Sequence, residues 1–124
     1  MALIRLGLIT LDCQDPVALA AFWAELLDGA IVFSTDTVQV VKFDSGVIGA
    51  LHVPDYRPPT WPAGDTPKHI HLDFAVADLD EAEAEALRLG AQRAAEQPSP
   101  DRWRVMLDPA GHPFCFTTLI PLNL

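Results

Sequence analysis

The sequence predicts an α+β fold built from two tandem βαβββ modules. The main evidence is an internal repeat, because residues 8–30 (LITLDCQDPVALAAFWAELLDGA) and 71–91 (HLDFAVADLDEAEAEALRLGA) share a strand-like start, an Asp cap, a helical stretch and a Gly-Ala exit. Three further strand-like segments follow each helix. Two copies are too few for a solenoid, so we expect the halves to pair around one shared site.

The first module is predicted to span residues 1–53. Its opening segment, 3–12 (LIRLGLITLD), is rich in Ile, Leu and Thr, which is typical of a half-buried strand. Asp15 can cap the following helix with Pro16 at its first position, and Gly29 ends that helix. The remaining strands are predicted at 30–34, 37–43 and 47–53, with a turn at Asp44-Ser45-Gly46 before the last of them.

The second module is predicted to span residues 68–124, after a connection over 54–67 that holds five of the 11 prolines. Proline fixes its own φ, so this connection is expected to be stiff. Asp78 caps the second helix, with Glu81 three residues later as a capping box, and Gly90 ends it. The strands are predicted at 69–76, 91–96, 102–107 and 113–119, with a hairpin turn over 108–111.

The chain is short, apolar and acidic. It has 124 residues, 50% of them hydrophobic, and a formal net charge of −9. Such a surface repels phosphate backbones and anionic lipids, so nucleic acid and membrane partners are not expected, and it suits a cationic ligand. The N-terminus lacks a signal-peptide pattern, so we expect a cytoplasmic protein in which Cys13 and Cys115 stay reduced.

Three motifs together resemble the vicinal-oxygen-chelate superfamily, in particular its glyoxalase-like and bleomycin-resistance-like members. They are DCQDPVALAAFWAELLDG, HLDFAVADLDEAEAEALRLGAQ and the terminal DPAGHPFCF, and they cover nearly the whole chain. The resemblance implies two modules whose curved sheets form an open cleft, the glyoxalase/bleomycin-resistance/dioxygenase fold, and a homodimer. The family includes metal-dependent enzymes and metal-free drug-sequestering proteins, so the fold alone does not decide the function.

The resemblance also implies where a family metal would bind. Its four ligand positions fall on Leu8, on one of the residues 50–52, on His71 and on Cys115. Leucine has no lone pair to offer, so we expect no metal cofactor. Should a divalent metal bind, the surviving set would be His52, His71 and Cys115, which suits Zn²⁺ better than Mg²⁺ or Mn²⁺.

A histidine and an aspartate in the second module form a candidate acid/base pair. The segment 69–76 alternates polar and apolar residues, which places His69, His71 and Asp73 on one face of a strand. An Asp beside a His can orient the imidazole and raise its basicity, as a general base requires. His71 and Asp73 are therefore candidate catalytic residues, and the alternative is a hydrogen-bonded polar patch without catalysis.

Aromatic and basic residues are candidate ligand contacts. Tyr56, Arg57 and Trp61 lie on a stiff segment that could form a rim over the cleft, although Trp61 could instead pack the module junction. Trp103 alternates with two arginines, so either the indole or the guanidinium groups face the cleft. The full set of expected ligand-binding residues is His52, His69, His71, Trp61, Trp103, Tyr56, Arg57 and Cys115.

Three functions of different classes are compatible with these features. The first is a metal-independent small-molecule-binding protein of the drug-sequestering type. The second is an enzyme, either a glyoxalase-like lyase or isomerase or a dioxygenase, that uses a reduced metal site or the pair of His71 and Asp73. The third is a dimeric interaction module without a ligand. We expect the first.

Overall fold

The computed structural model describes residues 1–124 and divides them into two compact units. The first unit comprises Met1–Tyr56 and the second Arg57–Leu124. Each unit contains one helix and one four-stranded sheet, so the α+β prediction is confirmed. No helix is long and apolar enough to cross a membrane.

The first unit has the βαβββ order that the sequence predicts. Its elements are β1 (Ile9–Cys13), α1 (Pro16–Leu26), β2 (Ala30–Ser34), β3 (Val38–Phe43) and β4 (Gly46–His52). The strand order in the sheet is β1-β4-β3-β2. The first strand runs parallel to β4, whereas β2, β3 and β4 form an antiparallel meander.

The second unit repeats this topology. Its elements are β5 (Leu72–Ala75), α2 (Leu79–Leu89), β6 (Gln92–Arg93), β7 (Trp103–Leu107) and β8 (Pro113–Thr117). The strand order is β5-β8-β7-β6, with β5 parallel to β8 and the other pairs antiparallel. The helix and the last strand therefore take the same places in both units.

Both helices begin at the predicted aspartates. The Asp15 carboxylate accepts a hydrogen bond from the Ala18 N–H at 3.1 Å, and Asp78 accepts one from the Glu81 N–H at 3.0 Å. Such caps satisfy amide groups that have no partner within the helix. The second helix ends at Gly90, whose φ of 113° is a left-handed conformation that glycine adopts without strain.

The first strand is shorter than the sequence predicts. The pattern predicts a strand over 3–12, but pairing begins with Ile9, opposite Ile48. The partner strand β4 starts at Gly46, directly after the turn, so residues 3–6 have no strand beside them. Leu3, Ile4 and Leu6 are consequently exposed.

Two strands of the second unit are also shorter. Of the predicted strand 69–76, only β5 forms. In the register of β5 and β8, His71 would lie opposite Pro113, which has no N–H to donate to a neighbouring strand. The predicted strand 91–96 is reduced to β6. The Gln97 side chain bonds both backbone groups of Val105, at 2.7 and 2.9 Å, and takes the place of a strand there.

The two faces of the second sheet carry different residues. The α2 face holds Phe74, Phe114 and Phe116, whose rings contact one another edge to face. The opposite face holds Val105 and Cys115, since cross-strand partners project on the same side of a sheet. That second face also carries the candidate site.

Candidate functional site

His71, Asp73 and Cys115 form a compact cluster on the face of the second sheet that lies opposite α2. Asp73 and Cys115 are direct cross-strand partners on β5 and β8. The His71 Nε2 atom lies 3.3 Å from Asp73 Oδ2, and one potential ligand atom from each of the three residues falls within 4.8 Å of the others. The structure thus adds Cys115 to the predicted pair of His71 and Asp73.

The thiol of Cys115 is held in its neutral form. Burial, followed by the negative charge of Asp73 and a hydrogen bond to it, raises the pKa of Cys115 to about 11, while Lys68 acts in the opposite direction. A neutral thiol donates a hydrogen bond and is a poor nucleophile at pH 7. Asp73 therefore has a neutral thiol as its cross-strand neighbour and the His71 imidazole beside its carboxylate.

Apolar and aromatic side chains surround the cluster. Cys115 packs with Ala94 and Val105 in a buried group, and Trp61, Trp103 and Leu107 pack against that group. The Trp61 indole N–H donates to the Glu96 carbonyl at 3.3 Å. The Lys68 Nζ atom lies over the same indole, 4.5 Å from its centroid. The face thus combines a polar centre, two tryptophans and one ammonium group.

The orientation of Trp103 resolves one open alternative. Trp103 shares the face of Val105 and Cys115, while the neighbouring Arg104 lies on the other face and donates to Asp80 at 2.9 Å. Asp80 belongs to α2, so the guanidinium connects the helix to the sheet. The indole, not the arginine, belongs to the candidate site.

His52 lies in the first unit, on the face of β4 that also carries the buried Ile48 and Ala50. Helix α1 packs on this sheet and buries Leu19 and Trp23. The His52 Nδ1 atom lies 2.8 Å from the Gln14 carbonyl oxygen. The sequence predicts His52, His71 and Cys115 as the metal ligands, but the donor cluster in the structure contains Asp73 instead of His52.

The remaining predicted contacts are dispersed. His69 is exposed and precedes β5, and Arg57 is exposed at the beginning of the second unit. Tyr56 is half-buried and belongs to the first unit. None of these three is part of the group of His71, Asp73 and Cys115.

Lys68 is a residue that the sequence analysis missed. It directly follows the Pro-rich connection and lies three positions before His71, so proximity in sequence was an available signal. Its position over Trp61 depends on how the connection folds, which local patterns do not specify.

The donor cluster fits a zinc-like ion in its chemistry. Imidazole nitrogen, carboxylate oxygen and thiolate sulfur are all zinc ligands, and ligands of a tetrahedral zinc lie about 3.3–3.7 Å apart. The distance of 3.3 Å between His71 Nε2 and Asp73 Oδ2 matches this spacing. The ligand atoms of the three residues lie up to 4.8 Å apart, so the side chains would have to move slightly closer to bind one ion. Zinc would also have to deprotonate Cys115, which a directly coordinated divalent ion does.

The first unit carries no such cluster at the corresponding positions. Leu8 and Thr10 stand seven and five residues before Asp15, as His71 and Asp73 stand before Asp78. Thr10 pairs with Gly49, as Asp73 pairs with Cys115. A Cβ atom on Gly49 would lie 3.1 Å from the Leu8 side chain and 3.2 Å from the Thr10 hydroxyl, so these three positions also meet in space.

Comparison with known proteins supports the family assignment. The family model of the glyoxalase-like domain matches residues 8–117. None of the curated proteins matches the sequence significantly.

Solved structures show the same fold. The fosfomycin resistance protein FosX from Mesorhizobium loti is 16% identical, with a TM-score of 0.72 over 98% of this chain and 97% of its own. A glyoxalase/bleomycin resistance protein/dioxygenase family enzyme from Burkholderia phytofirmans is 16% identical, with a TM-score of 0.71 over 94% of this chain and 100% of its own. Lactoylglutathione lyase from Agrobacterium tumefaciens is 15% identical, with a TM-score of 0.62 over 91% of this chain and 92% of its own.

These identities are low enough that the solved structures support the fold and not a shared activity. The family model covers most of the sequence, including both helix caps and all three residues of the donor cluster. The chain belongs to the glyoxalase-like domain family of the vicinal-oxygen-chelate superfamily.

Proposed function

We propose that the protein binds a small organic molecule on the face of the second sheet that carries His71, Asp73 and Cys115, without a catalytic metal. The observation that carries this proposal is the compact polar cluster itself, in which the His71 imidazole lies 3.3 Å from the Asp73 carboxylate and the neutral Cys115 thiol is the cross-strand neighbour of Asp73. His71 and Asp73 are both accessible to solvent, so water can complete their hydrogen bonds without an ion. Trp61 and Trp103 supply apolar surface beside it, as small-molecule sites require.

A screen on chelator-treated protein tests the proposal. Compounds are ranked by quenching of tryptophan fluorescence, and each hit is titrated against H71A and L8A. Leu8 is the first-unit counterpart of His71, so L8A is a matched control. We expect hits that lose about tenfold in affinity in H71A and are unchanged in L8A. Finding no hits, or hits that H71A does not weaken, would contradict the proposal and favour an interaction module.

A second candidate is a metal-dependent or acid/base enzyme of the lyase, isomerase or dioxygenase type. The specific observation in its favour is that three donors of zinc-compatible chemistry lie within 4.8 Å. A structure of a FosX variant from Listeria monocytogenes contains Mn(II), which shows that a relative of this fold holds a metal. In this chain His71, Asp73 and Cys115 would hold the ion, which would supply Lewis-acid chemistry.

Cobalt titration separates the two candidates without an activity assay. A thiolate bound to Co²⁺ absorbs strongly in the near ultraviolet. The metal-free proposal predicts no such band and no rise in melting temperature with Zn²⁺. A stoichiometric band that disappears in C115S and remains in C13S would establish the metal site and overturn the metal-free proposal.

We also propose that the protein is a cytoplasmic homodimer. The exposed apolar side chains of Leu3, Ile4 and Leu6 support self-association, because the first 11 residues contain no acidic group in a chain of net charge −9. Light scattering during size-exclusion chromatography tests this. We expect a dimer that L3D/L6D converts to a monomer, and a monomeric wild-type protein would contradict the proposal.

A further inference from the structure

Lys68 differs from three arginines of the second unit in what its charge contacts. Arg88, Arg93 and Arg104 all bond carboxylates of α2. The half-buried Lys68 instead lies with its Nζ atom 4.5 Å from the centroid of the Trp61 ring. The ammonium group therefore makes a cation–π contact with the indole and no ion pair with an acidic side chain of this helix.

Trp61 is held in place and borders the donor cluster. Its indole N–H donates to the Glu96 carbonyl at 3.3 Å, and the ring packs against the group that contains Val105 and Cys115. Lys68 is close enough to this group for its charge to counteract the rise in the Cys115 pKa. The ammonium group thus lies at the edge of the proposed binding face.

This arrangement determines which charge a ligand can bring. An indole face is where a ligand cation would bind by cation–π attraction, and Lys68 already occupies it. A second cation there would meet like-charge repulsion, whereas an anion would gain a partner. Asp73 carries the negative charge of the cluster and lies beside His71, so an anion would bind on the Lys68 side of the face and not at Asp73.

We propose that Lys68, placed on Trp61, makes this face selective for a small molecule that has a flat apolar body and a carboxylate-like anionic group. This inference rests on the small-molecule function proposed above. It also opposes the expectation from net charge alone, because a charge of −9 over the whole surface favours cationic ligands. The field of the Lys68 ammonium group acts at the face itself, whereas the fields of acidic residues more than about 8–10 Å away are screened by salt.

Calorimetric titration with three probes of the same shape tests the proposal. The probes are 2-naphthoate, 2-naphthamide and 2-naphthylmethylammonium, and the proteins are the wild type, K68M, K68R and the control K42M. We expect naphthoate to bind about fivefold more tightly than the amide, the size of one partly exposed charge pair, and the cation to bind weakest. The preference should vanish in K68M and persist in K68R and K42M, and it should decrease with added salt.

The outcomes separate this inference from the function on which it rests. Equal binding of the three probes, tightest binding of the cation, or an unchanged preference in K68M would overturn the role of Lys68 and leave small-molecule binding intact. No binding of any probe to the wild type would contradict both. Circular dichroism and urea midpoints show whether K68M has a folding defect. If it has one, K68R decides the result: because this variant keeps the charge, loss of the preference for naphthoate in folded K68R would contradict the proposal.

Discussion

Trp23 of α1 and Ala86 of α2 occupy the same position in their helices, eight residues after the capping Asp15 and Asp78. Both side chains are buried, but they differ greatly in volume. In the first unit the helix supplies the bulk of the core, through Trp23 and the residues around it.

The strands compensate for this difference. The positions of Phe114 and Phe116 on β8 correspond to those of Ile48 and Ala50 on β4, given that Thr10 pairs with Gly49 as Asp73 pairs with Cys115. The second sheet therefore supplies the aromatic bulk that its helix lacks. Close packing constrains the sum of the volumes, and each unit distributes that sum in its own way.

The residues of the candidate site also differ between the two units. On the faces away from the helices, His71, Asp73 and Cys115 of the second unit stand where the first has Leu8, Thr10 and Gly49. A duplicated scaffold can thus keep polar chemistry in one copy and replace it with apolar or small residues in the other.

The largest effect is expected for the helix-filled core. Trp23 is 1% exposed, so W23A removes a fully buried indole and leaves a cavity. We expect a loss of about 3–5 kcal/mol in the free energy of unfolding, measured by urea denaturation. The control is L87A in α2, where Leu87 is 45% exposed and a cost below about 1 kcal/mol is expected. Similar losses in both variants would refute the packing comparison.

The next effect concerns the ionisation of the buried thiol. The pKa of Cys115 rises from 9.0 to about 11 on folding, so the folded state favours the neutral thiol. That stability is fully present below pH 9 and is lost as the pH rises to 11. We expect about 2 kcal/mol less stability at pH 11 than at pH 8 from this group alone. Urea midpoints of the wild type and C115S at both pH values measure it, and C115S should lose this part of the pH dependence.

A smaller effect is expected for the charged connection between α2 and its sheet. The Arg104 side chain is 12% exposed and bonds both Asp80 and Glu83 of the helix. Replacing it in R104M leaves the half-buried Glu83 with fewer partners, so we expect a loss of about 1–2 kcal/mol. R88M, which removes an exposed pair within the helix, should cost less than about 0.5 kcal/mol. Equal urea midpoints for the two variants would contradict this assignment.

The smallest effect is expected at Gly49. The Cβ atom of G49A would approach only side chains at 3.1 and 3.2 Å, those of Leu8 and Thr10, and both are exposed enough to move. We expect a change within about 1 kcal/mol. In G29A the added Cβ would lie 2.7 Å from the Lys42 carbonyl oxygen, so that variant should be clearly less stable. A lower melting temperature for G49A than for G29A would contradict this expectation.

The sequence predicts the fold well where the signals are local. Asp15 and Asp78 mark both helix starts because capping depends on residues only three positions apart. Strand lengths are predicted less well, because they depend on the partner. Gly46 limits β1, Pro113 limits β5, and the Gln97 side chain replaces pairing next to β6.

Only the part of the candidate site that depends on local signals is predicted from the sequence. The proximity of His71 and Asp73 follows from strand alternation, and the structure shows them 3.3 Å apart. The meeting of Asp73 with Cys115 depends on the β5–β8 register, and that of Lys68 with Trp61 depends on the fold of the Pro-rich connection. Neither register nor loop conformation can be read from local patterns.

Backbone amide NMR of the chelator-treated protein, titrated with 2-naphthoate, tests the central claim most directly. The claim is that the polar chemistry of this duplicated scaffold resides in the second unit. We predict that the largest shift changes fall on the amides of Asp73, Val105 and Cys115, with those of Thr10 and Gly49 unaffected. Changes centred on the first unit, or no changes at saturating probe, would contradict it.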